Sequence, residues 1–187
     1  TSLRLRTTWN DRHGQELSYG PDTRRIAVYL PEGAEGPVAL DLQALDGEGC
    51  KLALASLSVP APGGLSRASE HSVEFLKLPV TVCTLTVRVT SPDVAIGQII
   101  SSPVGLQCAV GETTCSADFA KGTSATLTAA SPTAYAVFDG ACVSPASPCS
   151  LTLDRAQQVQ ATFVPSVCSP DKWCRLSPLP QGHILQV

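Results

Sequence analysis

Eight cysteines in a chain of 187 residues constrain this sequence more than any other feature. They are Cys50, Cys83, Cys108, Cys115, Cys142, Cys149, Cys168 and Cys174, and the last six fall into three close pairs. The spacings are C-x6-C, C-x6-C and C-x5-C. None is the C-x2-C of structural zinc or of thioredoxin-like redox centres, and His13, His71 and His183 lie near no pair. Disulfides are therefore expected, with buried free thiols as the alternative. Short loops cost least entropy to close. That favours nearest-neighbour pairing: Cys50–Cys83, Cys108–Cys115, Cys142–Cys149 and Cys168–Cys174. Eight cysteines allow about a hundred pairings, so the sequence does not fix this one. On loop entropy each short bridge is worth roughly 2–2.5 kcal/mol and a 50–83 bridge about 4 kcal/mol. Disulfides imply an oxidising compartment: periplasm, cell surface or medium. The chain contains no methionine and opens at Thr1, which reads as a processed or trimmed end. No apolar run reaches the ~18–20 residues of a membrane helix.

Aromatic residues make up only 5% of the chain. A core must then be built from Leu, Val, Ile and Ala, which suits two modest sheets better than one large core. The net charge is −3, and neither half carries a basic excess. Nothing here would gather phosphates, so nucleic acid is not an expected partner.

The first part of the chain reads as strands. Residues 1–9 alternate Leu3, Leu5, Thr7 and Trp9 against Arg4, Arg6 and Thr8, the period of a half-buried strand. Arg24–Leu30, Val38–Leu45, Cys50–Val59, Val73–Leu78 and Cys83–Thr90 follow, with an Asp46-Gly47 hairpin turn and Pro79 as a break. Turn signals at regular spacing and no helical periodicity predict an antiparallel β-sandwich of immunoglobulin-like type over 1–91. The polar Ser91-Pro92-Asp93 marks the expected domain boundary.

A second, smaller β domain is expected over 94–165. Its strands are Val94–Ser101, Ser124–Ala130, Ala134–Phe138, Ser150–Leu153 and Val159–Val164, with one helical turn at Asp118–Gly122. Gly122-Thr123, Thr126-Leu127-Thr128-Ala129, Phe138-x-Gly140 and Ala161-Thr162-Phe163 carry a resemblance. Over about 96–164 the sequence resembles the divergent internalin-type B repeat, a bacterial repeat domain of secreted and surface proteins. The cysteine form of that family has a pair before the Gly-Thr turn and another after Phe-x-Gly, where Cys108/Cys115 and Cys142/Cys149 stand. The resemblance implies fold and export but no chemistry. The family commonly carries a tryptophan within or after Phe-x-Gly, and this chain reads Phe138-Asp139-Gly140-Ala141-Cys142.

Residues 166–187 form an expected disulfide-clipped tail or linker. The run Trp173-Cys174 to Pro178-Leu179-Pro180-Gln181-Gly182 resembles the stretch before propeller-like repeats in large exported proteins of myxobacteria. Trp173 is a candidate contact residue, and Ile184, Leu185 and Val187 could add as a strand to another subunit's sheet edge.

No catalytic constellation stands out. G-x-S-x-G and phosphate-cradling glycine loops are missing. His13, His71 and His183 sit in or beside turn-rich or terminal segments, which makes surface histidines of them. Asp41, Asp46 and Glu48, and the loop-bracketing Glu32 and Glu35, read as solvated turn carboxylates. A loose calcium site at 46–48 is the alternative for that turn. The Arg24-Arg25 doublet reads as a solvated strand edge. Trp9 reads as core. No metal and no cofactor are expected. The expected role is a non-enzymatic secreted or bacterial cell-surface module for adhesion, spacing or self-assembly. Its partner would be another copy, a C-terminal region of the same protein, or an extracellular glycan. The alternative is a carbohydrate-binding accessory module of a larger secreted enzyme. If the second domain binds anything, the loops 108–115 and 142–149 are the places to look.

Overall fold

The structure, a computed structural model, describes residues 1–9, 12–14, 16–29, 36–60, 70–90, 97–132 and 134–165. Among these the protein is all-β, with no helix. The chain divides into two compact units, Thr1–Val82 and Cys83–Val187. The expected break at 91–93 lies outside the described residues.

The first unit is built around β1 (Ser2–Trp9). It pairs antiparallel with β2 (Arg12–His13), β3 (Leu17–Tyr19) and β4 (Pro37–Leu45). β4 pairs with β5 (Lys51–Pro60), and β5 with the first half of β6 (Leu76–Thr90). Register explains the core. Leu5 stands opposite Leu42, and Leu42 opposite Ala55, so the three share one face of the sheet. All three are buried, under Tyr19, Ile26, Val28, Leu40 and Val73. The opposite face carries Arg4, Arg6, Asp41, Gln43 and Ser56. The β4–β5 turn is closed by Asp46. Its Oδ1 accepts the N–H groups of Glu48 and Cys50, each at 2.9 Å, and its own N–H donates to the Cys50 carbonyl at 2.8 Å. That is the Asx turn by which a short carboxylate imitates a backbone turn.

The second unit has two sheets. In one, β13 (Gln157–Pro165) runs parallel to the second half of β6 and antiparallel to β11 (Ala134–Gly140), while β9 (Thr114–Ala120) also pairs with β6. The other orders β12 (Cys149–Leu153), β10 (Thr123–Ala130), β7 (Gln98–Ser102) and β8 (Gln107–Cys108). Alternation puts Ala125, Leu127, Leu151, Leu153 and Ile99 inward from this sheet. Leu85, Val87, Phe119, Phe138, Val159, Ala161 and Phe163 are buried from the other. Each large apolar side chain so buried is worth about 1.5–3 kcal/mol. These Leu, Val and Phe positions carry the unit in spite of its few aromatics.

Several sequence expectations need correction. Arg24–Tyr29 forms no strand. Its alternation survives, with Ile26 and Val28 packed on the Leu5 cluster and Arg24, Arg25 and Tyr29 exposed. Side-chain packing holds it without a backbone ladder. Residues 73–75 are likewise outside any strand, and β6 runs from Leu76 through Pro79 without interruption. Pro79 is accommodated because the β5–β6 register shifts there. Val82 faces Lys51 and Lys77 faces Ala53, leaving 78–81 opposite Leu52 alone. A bulge asks for no ladder N–H from the proline. Asp118–Ala120 belongs to β9, and only Lys121 and Gly122 turn. Gly122 has φ +89°, which ends the strand in a tight reversal rather than a helical turn.

Candidate functional site

The six described cysteines are all disulfide-bonded. Cys108 joins Cys115 with Cα atoms 5.5 Å apart, and Cys142 joins Cys149 with Cα atoms 6.2 Å apart. Cys50 and Cys83 are oxidised too, and both are fully buried. Cys168 and Cys174 lie outside the described residues. An all-β chain with this many bridges fits an oxidising environment such as the cell exterior.

The two stapled loops of the second unit are ordered by polar groups used locally. In the first, the Ala109 N–H donates to Glu112 Oε2 at 2.8 Å and the Glu112 N–H to the Ala109 carbonyl at 3.1 Å. Just before it, the buried Ser101 closes the β7–β8 turn. Its Oγ accepts the Leu106 N–H at 2.9 Å and donates to the Pro103 carbonyl at 2.8 Å. In the second loop, Ser144 exchanges backbone hydrogen bonds with Phe138 at 2.8 and 3.0 Å. Ser147 Oγ accepts the Ala129 N–H at 2.9 Å. The loop is thus fastened to β11 in one sheet and β10 in the other. Each loop leaves one valine in solvent, Val110 in the first and Val143 in the second. At the β12–β13 turn, slight desolvation would raise the Asp154 carboxyl. Its hydrogen bond and charge interaction with Arg155, its own backbone and Gln157 outweigh that and hold it below the usual carboxylate value.

The outer face of the four-stranded sheet is uncharged and mostly hydroxyl and amide, with Ile100 exposed among them. Ser150 and Thr152 of β12, Ser124, Thr126 and Thr128 of β10, Gln98, Ile100 and Ser102 of β7, and Gln107 of β8 point the same way. Thr126 and Ser150 hydroxyls meet across the strands at 2.9 Å. No charged side chain interrupts this set.

The first unit carries a groove of about 450 Å³ on its outer sheet face. Arg6, Asp41, Gln43, Ser56 and Glu74 line it, with Leu54 and Leu76. Glu16 ties Arg4 at 3.2 Å and Arg6 at 2.9 Å beside it. Such exposed pairs add little stability but fix the side chains. Leu76, at its rim, is 74% exposed.

The remaining sequence candidates are dispersed. His13 Nδ1 stands 3.3 Å from Thr8 Oγ1 on an exposed edge, and His71 is exposed. Trp9 is half-buried in β1. Tyr29 is 92% exposed and lies outside any strand. Asp46 and Glu48 form the β4–β5 turn described above. No group of three or more His, Cys, Asp or Glu side chains among the described residues is arranged to hold a metal ion. Glu32, Glu35, Trp173, His183, Ile184, Leu185 and Val187 lie outside the described residues. The bonds from loop 142–149 to Phe138 and Ala129 carry no sequence signal. They are backbone and hydroxyl contacts that no motif announces. Among the described residues no helix is long and apolar enough to cross a membrane. Comparison with protein-family models, with curated proteins and with solved structures finds no match.

Proposed function

We propose that this chain is a non-enzymatic, exported structural module of a bacterial cell surface or secreted protein, which spaces or presents a further region. One observation carries this reading. The reactive side chains of the second unit are spent on architecture: its described cysteines are oxidised, and the loop serines and Glu112 close turns. A unit stapled in this way keeps its shape outside the cell, where a small β domain gains from covalent ties. The likeness of 96–164 to a bacterial surface repeat and an immunoglobulin-like arrangement of the first unit belong to the same proposal. The test is surface display with a reporter epitope placed after residue 187. Deleting 1–165 is expected to reduce antibody access to the reporter several-fold. Unchanged access, or a hydrolytic turnover that follows the chain, overturns the reading.

A second reading is a carbohydrate-binding accessory module. The uncharged hydroxyl and amide face of β12, β10, β7 and β8 favours it, because such groups can donate and accept toward sugar hydroxyls. The face has no aromatic side chain to stack on a sugar ring, so any binding would rest on hydrogen bonds alone. Silence on a glycan array at millimolar concentration would remove this reading.

A further inference from the structure

A disulfide exchanges when a thiolate reaches one of its two sulfurs, so access decides which bridge of a folded protein opens. Five of the six described cysteines are buried: Cys50 and Cys83 at 0%, Cys108 at 1%, Cys149 at 4% and Cys142 at 5% exposed. Cys115 is half-buried, with exposed Thr114 and Ser116 on either side of it. The Cys108–Cys115 bridge thus offers a sulfur that a reagent can approach, while the Cys142–Cys149 bridge has both ends shielded.

We infer that Cys108–Cys115 is a reducible site in the folded protein, opened by a dithiol that attacks Cys115. The attacking thiolate bonds to Cys115 Sγ, the Cys108–Cys115 bond breaks, and Cys108 leaves as a thiolate that takes up a proton. The second thiol of the reagent then displaces Cys115. The dithiol departs as its own disulfide, having given two electrons, and both cysteines are left as thiols. Cys115 Sγ lies 3.7 Å from the Val87 carbonyl, which is placed to accept the weak S–H donor so formed.

The neighbouring strands do not need the bridge to stay in place. Cys108 is paired with Ile99 in the β7–β8 ladder. The Val89 N–H of β6 donates to the Thr113 carbonyl at 2.9 Å, and Ala109 and Glu112 close the loop between them. Opening the bridge removes the covalent tie between β8 and β9, which belong to different sheets, and leaves both strands their own backbone partners.

The experiment treats oxidised wild type with dithiothreitol under native conditions, quenches with iodoacetamide at intervals and maps the alkylated peptides. Alkylation at Cys108 and Cys115 is expected at least about tenfold faster than at Cys142, Cys149, Cys50 or Cys83. The Val89 amide is expected to stay slow in hydrogen exchange once the bridge is open. A second arm exposes C108S and C115S to oxidised glutathione. Cys115 of C108S is expected to take up glutathione at least about tenfold faster than Cys108 of C115S. Opening of all bridges at one rate, earlier opening of Cys142–Cys149, loss of Val89 protection with the bridge, or equal uptake by the two variants overturns the inference. The first arm uses no variant and decides the matter if either variant fails to fold. These failures leave the spacing role as it is, whereas alkylation before dithiothreitol is added would overturn this inference and the export reading together.

Discussion

Gly140 lies so close to Gln158 that a Cβ built on it would stand 2.8 Å from the Gln158 carbonyl oxygen. Its φ of +89° is one that L side chains rarely adopt. The end of β11 therefore needs glycine twice over, for conformation and for space. Gly140→Ala is expected to destabilise the protein by about 1–3 kcal/mol, measured by denaturant unfolding of the oxidised chain. A change below a few tenths would contradict the close approach.

Ser101 is buried and serves the Leu106 N–H and the Pro103 carbonyl at once. Ser101→Ala leaves both without their partner, at a cost of about 1–3 kcal/mol. Ser101→Thr keeps the hydroxyl and is expected to recover part of that loss. Equal stability of the alanine variant and wild type would show that another group replaces the hydroxyl.

The stapled loops supply a separate stability test. Removing Cys142–Cys149 by double serine substitution is expected to cost about 2–3 kcal/mol through loop entropy. Removing Cys108–Cys115 is expected to cost a similar amount, because the loops have the same length. Thermal unfolding of the two double variants checks the pair. A loss confined to one loop would mean that the other loop's bridge is redundant with that loop's own hydrogen bonds.

Asp154 gives a pH prediction. Its carboxyl pKa is lowered in the folded chain, and a depressed carboxyl contributes stability above its unfolded pKa that is lost as pH falls through the folded one. Carbon-detected NMR titration should place its midpoint below that of an ordinary aspartate, and Arg155→Gln should move it back up. The site is exposed, so the effect on global stability is expected to be small. An unshifted midpoint would contradict the contacts to Arg155 and Gln157.

Strands with strong alternation were legible from residues alone. β1, β4, β10 and β12 follow the pattern of Leu, Val and Thr in the sequence to within a residue or two. β9 was not legible, because its inward positions are Cys115, Ala117 and Phe119 and the run ends in Asp-Phe-Ala-Lys-Gly. Small inward residues give a weak period, and that ending resembles a helical turn. From sequence, β6 splits into two strands because a proline usually ends a ladder, and the bulge that admits Pro79 depends on where β5 stands. Arg24–Tyr29 shows the reverse. Its alternation is genuine, but pairing depends on a neighbour that the local sequence does not specify. Cysteine count predicted the local disulfides, whereas the fastening of loop 142–149 to Phe138 and Ala129 is long-range and invisible before the sheets are placed.

The proposed export of this module rests on its disulfides. The most direct measurement is peptide mapping, without reduction, of the protein recovered from cells that export it. Linked peptides are expected for Cys108–Cys115 and Cys142–Cys149, with Cys50 and Cys83 also oxidised. Free thiols at these positions in the natively produced protein would contradict it.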